Sequence, residues 1–142
     1  MLSIDVTSVL VDDQQEALDF YTKVLGFEVK TDVPAGNGRW LSLVSPSDPD
    51  GVELLLEPDN NPNVLIDDEP AARVYKEALY DAGVPVTSFA SDDLEADYER
   101  MSNLGVIFVL EPTDMDDVSV AVFDDTCGNL IQIHEVHPDD DY

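Results

Sequence analysis

Two short stretches carry the groups best suited to chemistry. In "VELL", Glu53 alternates with Val52 and Leu54; in "LIQIH", Gln132 sits between Ile131 and Ile133. Successive side chains on a strand point to opposite faces, so the carboxylate and the amide both turn away from their aliphatic neighbours. A carboxylate in a mostly apolar cavity has a raised pKa and suits the role of general base on an acidic C–H. At a wet cleft mouth the same group is only a solvated anion. Gln132 has two uses: a hydrogen bond to Glu53 across the molecule, or direct contact with a ligand. His134 shares the face of Gln132 and reads as a ligand-facing acid or base, a weak partner of Glu53, or a solvated side chain. His137, before Pro138 and an acidic tail, reads as exposed.

Ser8 and Ser88 share the parity of Val6 and Val86 and line the same cleft as weak hydrogen-bonding groups. Trp40 walls an apolar pocket or joins the core, and Arg39 beside it grips a carboxylate or forms a surface ion pair. Cys127 lies in the turn "DDTCGN", where Asp124 and Asp125 disfavour a thiolate, which argues against a nucleophile there. Two histidines so near the C-terminus give no Ser-His-Asp arrangement, and "PAGNGR" lacks both the spacing and the following helix of a phosphate loop.

The elements that must position these residues occur twice. Residues 12–29, "DDQQEALDFYTKVLGFEV", return as 92–109, "DDLEADYERMSNLGVIFV". Each copy reads acid pair, amphipathic helix, Leu-Gly stop, then strand. Ala17, Phe20, Tyr21, Val24 and Leu25 form one apolar stripe, and Leu94, Tyr98, Met101 and Leu104 form the other. Asp12 or Asp13 and Asp92 or Asp93 supply caps, and Gly26 and Gly105 supply left-handed stops. One strand precedes each helix (Ile4–Val11; Val86–Ala90) and three follow it. In the first half these are Phe27–Val33, Arg39–Val44 and Val52–Glu57; in the second, Val106–Leu110, Val118–Phe123 and Leu130–Val136.

Pro34, Gly36 and Gly38 break the strands of the first half, Pro112 those of the second, and Asn37-Gly38 reads as a hairpin turn. The expectation is an α+β fold of two tandem pseudo-symmetric βαβββ modules with mixed sheets forming a cleft, helices on the outside. Module 1 covers about 2–58, a linker and helix 59–85, module 2 about 86–137, and an acidic tail 138–142.

Composition sets the outer bounds. At 142 residues the chain is one ordinary domain. Against 32 Asp plus Glu stand only 6 Lys plus Arg, for a net charge of −26. Nucleic-acid binding is excluded, because phosphate contacts need a basic stripe. The acids are spread along the whole chain, as expected for the cytoplasm of a salt-accumulating organism, where molar salt shortens screening to about 3 Å. No apolar run approaches the roughly 18 residues of a membrane span, and "MLSIDVTSVLVDD" lacks the pattern of a secretory signal. One cysteine allows no intrachain disulfide, and with two histidines it rules out a cysteine-based structural zinc site.

On "SVLVDDQQEALDFYTKVLGFEV", "GVELLLEP" and "DDTCGNLIQI" the chain resembles the vicinal oxygen chelate superfamily, and within it the glyoxalase/bleomycin-resistance/dioxygenase group. The resemblance covers nearly the whole chain. It implies a cleft in which family enzymes hold a divalent metal (Zn, Ni or Mn here) as Lewis acid. It places the four ligand positions on Val6, Glu53, Val86 and Gln132. Valine has no lone pair, so the metal site is degenerate and the expected cofactor is none. The resemblance implies a glyoxalase-like lyase or isomerase acting on a small carbonyl or thiol adduct, with Glu53 as base. Its alternative is a non-catalytic small-molecule binder contacted by Gln132, His134, Ser8, Ser88 and Trp40. An extradiol dioxygenase is disfavoured. A homodimer is expected, as in many relatives.

Overall fold

The computed structural model describes residues 1–36 and 38–137; Asn37, of the expected hairpin turn, and the acidic tail 138–142 lie outside them. The repeat folds as two copies of one unit. The first comprises β1 (Val6–Val11), α1 (Gln14–Asp19) continued by a π-helical turn Phe20–Val24, β2 (Glu28–Ala35), β3 (Gly38–Val44) and β4 (Glu53–Pro58). A small hairpin, β5 (Leu65–Ile66) and β6 (Glu69–Pro70), and helix α2 (Ala71–Asp81) lead to the second. That unit holds β7 (Ser88–Ala90), α3 (Leu94–Asn103), β8 (Phe108–Met115), β9 (Val118–Asp124) and β10 (Leu130–Val136). The sheets have the same order, β1-β4-β3-β2 and β7-β10-β9-β8. In each the outer first strand runs parallel to the last, and the other pairs are antiparallel.

Both helices start and stop as the sequence dictates. The Asp13 carboxylate accepts from the Glu16 N–H and that of Asp93 from the Ala96 N–H. Gly26 and Gly105 follow at φ +88° and +92°, a conformation nearly closed to residues with a Cβ. Several strand boundaries differ from expectation. β1 starts at Val6 rather than Ile4, and β7 at Ser88 rather than Val86. β2 runs on through Pro34 and β8 through Pro112. Both are edge strands, where a missing N–H breaks no ladder, and in β8 the pairing shifts between Leu110 and Thr113, around the proline.

Alternation sends Val9, Val11, Leu41, Leu43, Leu54 and Leu56 of the first sheet toward α1, and Ala121, Phe123, Ile131 and Ile133 of the second toward α3. These two covered faces share one core. Phe20 on the first helix meets Phe123 at 6.1 Å between ring centres, and Tyr21 meets Phe89 at 6.5 Å. The polar faces of both helices stay in solvent. Leu104, expected on the apolar stripe, is exposed because the helix ends there.

A buried polar cluster clips the halves together. The Tyr21 hydroxyl donates to Asp125 at 2.6 Å, and Asp125 also accepts from the Cys127 and Asn129 N–H groups. The Asn129 amide donates to the Leu10 carbonyl at the outer edge of β1. From the linker, buried Lys76 donates to the Cys127 carbonyl at 2.8 Å and pairs with Asp59 at 2.7 Å, which Arg73 also holds. Gly128 lies directly over Lys76: a Cβ there would stand 2.9 Å from the ammonium nitrogen.

Candidate functional site

Each sheet keeps one face clear of the helices. On the first, the register sets Val6 beside Glu53 and Ser8 beside Leu55, with Ser42 across from Leu55. Trp40 shares this face two residues from Ser42 and is 43% exposed. Ser42, fully buried, donates to the Glu53 carboxylate at 2.6 Å. Sequence reasoning missed Ser42, although its parity with Trp40 was the available signal.

On the second sheet, Gln132 pairs with Ser88 and His134 with Ala90. The Gln132 amide donates to Ser88 Oγ at 3.0 Å, and that hydroxyl lies 2.6 Å from His134 Nδ1. A hydroxyl thus links the amide to the imidazole, while Val120 and Val122 supply the apolar floor beside them. His137, expected to be exposed, is half-buried: Nε2 lies 2.7 Å from Ser119 Oγ and 3.2 Å from Asp114.

Two expectations are corrected. Gln132 does not bond Glu53; each finds a serine on its own sheet. The covered faces of the two sheets share one core. Val86 does not stand beside Gln132; the register gives that place to Ser88, and Val86 packs against the core.

A divalent metal does not fit this donor set. Glu53 has an aliphatic neighbour in Val6 and is already bonded to Ser42; Gln132 is neutral and engaged with Ser88. Among the described residues no three His, Cys, Asp or Glu side chains come together as a metal site.

Arg39 forms two bonds to Asp32, at 3.0 and 2.7 Å, and one to Gln15. The other described basic side chains are also paired with acids: Lys23 with Asp19, Lys30 with Asp50, Arg73 and Lys76 with Asp59, and Arg100 with Asp97. Burial, reinforced by the neighbouring Asp125 charge, pushes the Cys127 thiol up to about 12, so it is a packing group and not a nucleophile.

Paired four-stranded mixed sheets, each built from a βαβββ unit with one open face, define a class of proteins. The chain belongs to the Glyoxalase/Bleomycin resistance protein/Dioxygenase superfamily, whose family model matches residues 3–133. It is 51% identical over 132 residues to the uncharacterized protein YurT of Bacillus subtilis (strain 168), covering 93% of this chain and 98% of that one. Among solved structures it is similar to UcmS2, with 30% identity and a TM-score of 0.80 over 94% of this chain and 98% of the other. It is also similar to TnmS3, an antibiotic binding protein from Streptomyces sp. CB03234, with 25% identity and a TM-score of 0.73 over 96% and 98%. No helix among the described residues is long and apolar enough to cross a membrane.

Proposed function

We propose that this protein binds a planar, largely apolar small molecule without transforming it, in a cleft formed between two copies of the chain. The open face of the first sheet in one copy, with Trp40, Ser8 and Glu53, meets that of the second sheet in the other, with Gln132, Ser88 and His134. The observation that carries this reading is the state of the four ligand positions. Glu53 faces a valine and is held by Ser42, Gln132 is held by Ser88, and Val86 belongs to the core. What remains is an exposed tryptophan among aliphatic and hydroxyl side chains, a surface suited to stacking. The similarity to an antibiotic binding protein supports the same class of activity. In this account no metal takes part, the protein works in the cytoplasm, and its acid-rich surface is an adaptation to high salt.

Trp40 is the chain's single tryptophan, so its fluorescence reports on the cleft directly. A screen of planar aromatic compounds is expected to give saturable quenching at micromolar concentration. Absorbance-detected binding should weaken at least about tenfold in Trp40→Ala, the loss of one stacking contact. Isomerisation of a hemithioacetal with added Ni²⁺, Zn²⁺ or Mn²⁺, abolished in Glu53→Gln, would instead establish a lyase with Glu53 as base.

A further inference from the structure

Strands β3 and β4 form a regular ladder only at Ser42–Leu55 and Leu43–Leu54. Beyond it the side chain of Gln14 enters between them. Its amide nitrogen donates to the carbonyls of Arg39 at 2.7 Å and Leu56 at 2.9 Å, and its oxygen accepts from the Arg39 N–H at 3.0 Å. Three hydrogen bonds to one side chain replace the cross-strand bonds, so the strands fork. At the fork, between the β2–β3 hairpin and the segment after β4, lies a cavity of about 370 Å³, lined among others by Glu57, Asn60, Asn61 and Asn63. Its volume falls in the range of small-molecule pockets.

We infer that this fork is a subsite for a glycosyl or similarly polyhydroxylated group carried by the aromatic ligand. The inference rests on the binding reading above and names the ligand class of that same cleft. Trp40 lies two residues along β3 from Gly38, which lines the cavity beside Glu57. A ring system stacked on Trp40 therefore directs its substituent toward the fork. Each Asn amide offers a donor and an acceptor, and the carboxylate accepts two hydrogen bonds, the combination that vicinal hydroxyls match. Asn61 is pre-set, because its side-chain oxygen accepts from the Asn63 N–H at 2.9 Å and leaves its NH₂ group to point elsewhere. Glu57 repels a phosphate or carboxylate substituent, and the amides leave an aliphatic one with unpaired polar neighbours.

The test compares emodin 8-O-glucoside, a planar aromatic glycoside whose sugar is uncharged and carries vicinal hydroxyls, with its aglycone emodin by Trp40 quenching and calorimetry on the full-length protein. The glycoside is expected to bind about tenfold more tightly, the worth of one or two added hydrogen bonds. In Asn60→Ala/Asn63→Ala and in Glu57→Gln, all at exposed positions, the ratio should fall toward one while aglycone affinity and melting temperature stay unchanged. Equal affinities in the unaltered protein, or a preference that survives both variants, overturn the subsite and leave the aromatic cleft standing. Binding of neither compound overturns the cleft itself, and the subsite with it.

Discussion

At the scale of single residues, the polar groups divide into a buried set that holds the fold and a half-buried set on the sheet faces opposite the core. Tyr21, Asp125, Asn129, Lys76 and Asp59 belong to the first. Burial, then the Asp125 charge and hydrogen bond, keep the Tyr21 phenol well above its ordinary value. Replacing it by Phe leaves a buried carboxylate short of a donor. Tyr21→Phe should cost about 1–3 kcal/mol and lower the melting temperature by roughly 3–10 °C in a thermal melt.

Asp59 is the clearest case for pH. Burial raises its pKa, but hydrogen bonds from Arg73 and Lys76 and their charges outweigh that, so the carboxyl is held below its usual range. A depressed folded-state pKa contributes stability above the unfolded value of about 3.9, and the contribution disappears as pH falls through the folded value. Asp59→Asn, which leaves buried Lys76 without its counter-charge, should lose about 3–5 kcal/mol near neutrality. Urea titrations should show the gap to the unaltered protein narrowing below about pH 4; a constant gap would remove the ion pair as its cause.

The sheet faces of Glu53 and Gln132 were legible by parity alone, since both stand where strand alternation puts them. Their partners were not, because Ser42 and Ser88 are chosen by tertiary register, which no local pattern encodes.

At the scale of elements, the repeat was readable because each copy carries its own cap, stripe and glycine stop. Proline was misleading: Pro34 and Pro112 sit within strands, and only the sheet order reveals that those strands are edges. Gln14 was equally hidden, because a polar residue in the first turn of a helix gives no sign that it will wedge two strands apart. Register also decides where a metal ligand can be rebuilt. Val6→His places an imidazole beside Glu53, and His at Ser88 places one beside Gln132 and His134. Calorimetry should detect tighter Ni²⁺ or Zn²⁺ binding by the Ser88→His and Val6→His proteins than by the unaltered chain. Val86→His points into the core, so it should gain no affinity and should lower stability instead. Metal binding by Val86→His equal to that of Ser88→His would show the register to be wrong.

At the scale of the whole molecule, charge and module packing dominate. A net charge of −26 over one domain is self-repulsive, and screening lengthens from about 3 Å at molar salt to about 30 Å at 10 mM. The melting temperature should therefore rise steeply as KCl increases from 10 mM to 2 M, and a flat profile would remove salt adaptation from the account. The charge itself is visible in the composition. The direction in which the two open faces point was not visible, because it depends on Phe20, Tyr21, Phe89 and Phe123 meeting in a common core. In the proposed assembly Glu53 and Gln132 lie on separate open faces of one chain, and the cleft joining them is formed by a pair of chains. The direct measurement is cross-linking of a Glu53→Cys/Gln132→Cys protein with a short bismaleimide, the buried Cys127 thiol being unreactive in the folded state. The predicted product has twice the mass of the chain and forms in proportion to dimer concentration. A product of single-chain mass, formed equally at high dilution, would contradict the account.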